Sequence, residues 1–147
     1  MKAFIAKDFK RIISCKSKSG IALALNTMPK FLIMPNQITT EEFKTKVTES
    51  KLLSLVKFKT QWSGACQIVE PFYKELSLTY HGVANFFIVD TEHDKSLAER
   101  FGIMELPTIL LFKNGTVVDH TTGLTSKQLL IEKIEQALSD NTDERIN

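Results

Sequence analysis

Five consecutive residues hold the chain's best chemistry: Trp62, Ser63, Gly64, Ala65 and Cys66, just after an apolar run and at the start of an expected helix. Backbone N–H groups at a helix start favour anions, which biases a thiol in the first turn toward thiolate, the form that attacks disulfides. Trp62 would sit beside it as an apolar platform. Ser63 is a weaker nucleophile, because a hydroxyl stays protonated near neutral pH unless a base activates it. The three histidines, His81, His93 and His120, fall on a helix end, a loop and a hairpin strand, so the sequence does not indicate a Ser–His hydrolase. Each reactive group also has a plain structural reading. Serine is a preferred N-cap, and a free cysteine often serves as a small buried hydrophobe. Further along, Leu106-Pro107-Thr108 opens another strand, a position where proline's missing N–H costs no ladder bond and where a cis peptide is expected.

Fewer roles are open to the other polar residues. Lys57 interrupts an apolar strand, where it is either neutralised or, as we expect, reaches the sheet edge with its charged end. Glu70 reads as a solvated helix residue. Two cysteines, Cys15 and Cys66, cannot supply a thiolate zinc site, and a disulfide between them would need their α-carbons within about 7 Å. The sequence has no glycine-rich phosphate loop, no metal-ligand spacing and no paired catalytic carboxylates. No metal and no cofactor is expected.

The elements that must position these residues are regular from about residue 36. Thr39 or Thr40 caps a helix opening with Glu41-Glu42-Phe43, and residues 52–58 read as a buried strand. A helix follows from Ser63 to Tyr80, with a kink expected at Pro71 and Gly82 closing it. Residues 85–90 form a second strand and 94–101 a short helix ended by Gly102. Residues 108–112 form a third strand, Asn114-Gly115 signals a hairpin, and Val117 to His120 return antiparallel. Ser126 caps a last helix with Leu129, Leu130, Ile134, Ala137 and Leu138 on one face. Alternating strands and helices followed by a hairpin imply a small α/β fold with a mixed sheet.

At 147 residues and 43% hydrophobic, the chain suits one domain, expected over 36–140, with a basic N-terminal extension over 1–35 and a tail over 141–147. Residues 1–30 carry seven basic side chains against Asp8 alone, whereas the remainder is mildly acidic. A body without a basic stripe argues against nucleic-acid binding. The extension, with Ile5, Phe9, Ile12 and Ile13 at helical spacing, reads as a poorly ordered tail; a basic amphipathic helix used for organelle import is the alternative. No run of 18 apolar residues occurs, so no membrane-spanning helix is expected.

Taken together, Trp62-Ser63-Gly64-Ala65-Cys66, Pro71, Phe101-Gly102-Ile103, Leu106-Pro107-Thr108, Phe112-Lys113-Asn114-Gly115 and Gly123 resemble the thioredoxin family in order and spacing, over roughly residues 36–140. The resemblance implies the thioredoxin fold, a central mixed β-sheet flanked by α-helices, with Pro107 cis beside the active-site helix. It also implies a substrate groove formed by Trp62, Gly64, Ala65, Leu106, Pro107 and Gly123, in which an extended peptide pairs with backbone next to the proline.

The departures from that family are equally specific. Its motif is Trp-Cys-Gly-Pro-Cys, whose first cysteine attacks and whose second resolves the mixed disulfide. Here Ser63 occupies the attacking position, Ala65 replaces proline, Lys57 stands where a buried acid is usual, and Lys59 replaces a frequent tryptophan. Only Cys66 survives. The expected function is therefore of the thiol–disulfide redox class with a single-cysteine centre, Cys66 forming mixed disulfides and Ser63 filling the vacated seat. The competing reading is a non-catalytic peptide-binding or chaperone-like module using the same groove. Partners implied are protein or peptide thiols and disulfides, glutathione, or a thioredoxin reductase. A monomer in the cytoplasm is expected.

Overall fold

A computed structural model describes residues 34–140. The amphipathic leader, Cys15 and the 141–147 tail lie outside these residues. The elements are β1 (Asn36–Gln37), α1 (Thr40–Phe43) running into a π-helical turn (Lys44–Thr48), β2 (Leu53–Lys59), α2 (Gly64–Thr79), β3 (Ala84–Asp90), α3 (Lys95–Arg100), β4 (Thr108–Lys113), β5 (Thr116–Thr122) and α4 (Lys127–Ser139). The sheet order is β1-β3-β2-β4-β5. β1 and β2 pair parallel to β3, and β4 pairs antiparallel to both β2 and β5. This is the expected mixed sheet flanked by helices.

Both faces of the central strands are covered, which is why β2, β3 and β4 read as nearly continuous apolar runs. Side chains alternate across a strand, so Leu53 and Leu55 of β2 face Val69, Tyr73 and Leu76 of α2 and Leu130 and Ile134 of α4. Val56 and Phe58 face the other way, against Phe43 of α1, Leu97 of α3 and Phe112 of β4. Rings of Phe43, Phe101 and Phe112 meet there with centroids 5.3–5.4 Å apart. Lys57 shares the parity of Leu53 and Leu55, so its side chain enters the α2 side.

Local signals explain the boundaries. Thr39 and Glu42 form a reciprocal capping box at α1. Ser126 accepts the Leu129 N–H at 3.1 Å and starts α4. Asn114 (φ 52°) and Gly115 (φ 79°) both lie in the left-handed region, as a two-residue type I′ hairpin requires. A Cβ at residue 115 would also fall 2.9 Å from the Thr48 carbonyl oxygen. α2 continues through Pro71 as one sixteen-residue helix. The sequence reading did not anticipate β1, two exposed residues with no alternation to mark them.

Asp94 ties the two helices of one face together. Its carboxylate accepts Thr40 N–H (2.6 Å), Thr40 Oγ1–H (2.7 Å) and the Ser96 N–H of its own helix (3.2 Å). The Thr40 hydroxyl and amide, foremost, hold this carboxyl below the usual range. Its stabilising contribution is complete above the unfolded-state pKa and is lost as pH falls through the lowered folded value. Asp94→Ala is expected to cost about 2 kcal/mol, from a lost cap and a lost tie. The urea midpoint at neutral pH checks this, and the deficit should shrink in acid.

Candidate active site

Three segments converge at one end of the sheet. β2 ends at Lys59, and Phe58 lies in register with Thr108, the first residue of β4. Thr108 is in register with Thr122, the last residue of β5. The turn after β2 therefore delivers Trp62 and the start of α2 to the end of the sheet where Pro107 opens β4 and Gly123 closes β5. The Leu106–Pro107 peptide is cis. Gly123 (φ 70°) donates its N–H to the Pro107 carbonyl oxygen at 2.8 Å. The left-handed backbone is what favours glycine here, since the 2.6 Å approach a Cβ would make is to Oε1 of the exposed Glu105 side chain, which can swing away.

Along the approach to α2, Trp62 is 85% exposed. Ser63 is its N-cap, and its Oγ accepts the Cys66 N–H at 3.3 Å. Gly64 is exposed and has open space around its Cβ direction, whereas Ala65 and Leu106 are half-buried and Pro107 is buried. Cys66 is 4% exposed and carries a free thiol. The histidines lie elsewhere. His81 follows α2, His93 pairs with Asp90 at 3.2 Å, and His120 is an exposed residue of β5. Among the described residues, no cluster of His, Cys, Asp and Glu could hold a metal ion.

The sequence reading missed the charged pair beneath this end of α2. The Lys57 side chain is 0% exposed and does not reach an edge. β2 is a central strand, and Lys57 lies in register between Ile88 of β3 and Ile109 of β4, so a strand flanks it on either side. Its Nζ instead donates to Glu70 Oε2 and lies 4.7 Å from the Tyr73 ring centroid. Glu70, 28% exposed, is thus an inward partner of Lys57 rather than a solvated residue. Burial pushes the Lys57 ammonium below its usual range, against the pull of Glu70. Burial alone would raise the Glu70 carboxyl, but the Lys57 hydrogen bond and charge outweigh it and hold it low. A signal for this pair was present in the sequence: Cys66, Glu70 and Tyr73 recur at helical spacing opposite the one charge in the middle of β2.

The thioredoxin family model matches residues 34–136. The chain belongs to the thioredoxin family. It is 33% identical over 105 residues to a thioredoxin of Rickettsia felis, covering 71% of this chain and all of that protein. It is 30% identical over 126 residues to the chloroplastic thioredoxin M4 of Arabidopsis thaliana, covering 86% of this chain but only 61% of that protein. The crystal structure of Malassezia sympodialis thioredoxin superposes with a TM-score of 0.65 at 28% identity, over 71% of this chain and 90% of that one. Membership places this thioredoxin-family chain in the thiol–disulfide redox class, whose members act on protein thiols. No helix among its described residues is long and apolar enough to cross a membrane.

Proposed function

We propose that this thioredoxin-family protein works through one active-site thiol, with Cys66 forming mixed disulfides and with weak or no dithiol reductase activity. The observation that carries this reading is Ser63. In the position that the family resemblance assigns to the attacking cysteine, its oxygen serves as the N-cap of α2 and accepts the Cys66 N–H. A hydroxyl there cannot close an internal bridge to Cys66. In the exchange, the Cys66 thiolate attacks a partner disulfide, one S–S bond forms as the other breaks, and the leaving thiolate takes up the proton that Cys66 released. Resolution then needs a second thiol, from the partner or from glutathione. The groove of Trp62, Gly64, Ala65, Leu106, Pro107 and Gly123 would hold the partner peptide. We place the protein in the cytoplasm as a monomer served by glutathione or a thioredoxin reductase. Organelle import through residues 1–35 is the alternative, for which the chloroplastic relative is the support.

The test is incubation of the folded chain with oxidised glutathione or a disulfide peptide, followed by peptide-resolved mass spectrometry that separates Cys66 from Cys15. One reductant-sensitive adduct on Cys66 is expected. Insulin reduction should run roughly a hundredfold or more below a dithiol family member, since Ser63 leaves no second thiol in the motif to resolve the mixed disulfide. Equal rates would overturn the single-thiol reading. The burial of Cys66 beside the exposed Trp62 favours a second reading, a peptide-binding module without sulfur exchange. Under it, Cys66→Ala would bind peptide undiminished and the native chain would yield no adduct.

A further inference from the structure

Thiolate formation at a buried sulfur is disfavoured unless a positive charge lies within reach. Cys66 and Glu70 stand one turn apart on α2, Cys66 is buried there, and the Lys57 side chain ends on Glu70. Lys57 is wholly enclosed, so its ammonium can compensate only groups lining that same space. We propose that Lys57 is a positioning residue for the Cys66 thiolate, a buried cation that Glu70 and Cys66 share as competing anions. This rests on the single-thiol reading and adds what that reading lacks, a reason for the buried cysteine to react.

The other titratable groups around this space are few. Tyr73, from α2, has its hydroxyl 2.8 Å from the Phe87 carbonyl oxygen and 3.1 Å from that of Leu55. Burial holds its phenol well above the usual range, so Tyr73 stays neutral. Lys74 approaches the outer oxygen of Glu70 at 3.6 Å, and Lys59, at the end of β2, adds a weaker repulsion to Lys57. The thiolate of Cys66 in turn favours the charged form of Lys57, the reciprocal of the proposed effect. With Cys66 protonated or in a mixed disulfide, Lys57 has Glu70 alone. With the thiolate present, it balances two anions.

Two substitutions should therefore act in opposite directions. Lys57→Met keeps the side-chain length and removes the cation. Glu70→Gln keeps a hydrogen-bond acceptor for Lys57 and removes the competing anion. Iodoacetamide alkylation of Cys66 is followed from pH 5 to 10 by peptide-resolved mass spectrometry, with folding checked by circular dichroism. Lys57→Met should slow alkylation at pH 7 about tenfold and move the profile to higher pH, whereas Glu70→Gln should speed it and move the profile lower. Unchanged profiles in both variants, or shifts of the same sign, would overturn the proposal. Should one variant not fold, the other decides by its own sign. A native chain whose Cys66 resists alkylation at every pH while folded would instead sink the single-thiol reading itself, so the two failures are distinct.

Discussion

Ser63→Cys is expected to raise disulfide-reductase activity at least about a hundredfold over the native chain, because it supplies the nucleophile that oxygen cannot replace. The new thiol would occupy the N-cap of α2, where the free backbone N–H groups favour a thiolate. Positions 63 and 66 stand three residues apart at the helix start, a spacing that brings side chains to one side, so an internal bridge becomes accessible. The substitution also removes the cap on the Cys66 N–H, a cost of about 1 kcal/mol that the buried sheet tolerates. Insulin turbidity and a count of thiols before and after oxidation check it. Activity should stay below that of a dithiol family member, since Lys57 and Ala65 still depart from the family pattern. No gain at all would mean that the surroundings of Cys66 no longer support exchange.

Glu70→Ala should be the most destabilising surface-reachable change, at about 3 kcal/mol. It leaves the Lys57 ammonium fully enclosed without its hydrogen-bonded carboxylate, and the Tyr73 ring at 4.7 Å compensates only in part. Lys57→Met acts on the other partner and should be nearly neutral in stability. Glu70 retains access to water and can solvate once released, and a buried ion pair replaced by an apolar side chain often costs nothing. Urea unfolding of the two variants tests the asymmetry. Equal losses would mean that the pair is held by something other than the burial of its lysine. The pH dependence has a defined sign for Glu70. Its carboxyl is lowered in the fold, so its contribution is present above the unfolded-state pKa and fades as pH falls through the folded value.

The order of elements was legible in the sequence because each boundary carries its own local chemistry. Ser63, Asp94 and Ser126 each accept an N–H from the helix they start, and Asn114-Gly115 turns the hairpin. The two sides of the sheet follow from parity within β2 once both faces are known to be covered. β1 and the π-helical turn after Phe43 were not legible, since a two-residue strand has no period and a widened turn has no composition of its own. Lys57 shows a different limit. Its burial depends on β2 being flanked by β3 and β4 rather than on anything adjacent to it in sequence, and that neighbourhood exists only once the sheet is assembled. Placing a charge at an edge is the right expectation for an edge strand, and β2 is not one.

The small hollow lined by Met34, Ser77 and His81 lies at the far pole of the molecule from Trp62. Ser77 and Cys66 sit at opposite ends of α2, roughly 17 Å apart along its axis at the usual helical rise. A label carried by His81 at that hollow is therefore held about three helical turns from the Cys66 sulfur, and it can report on the fold without covering the proposed groove.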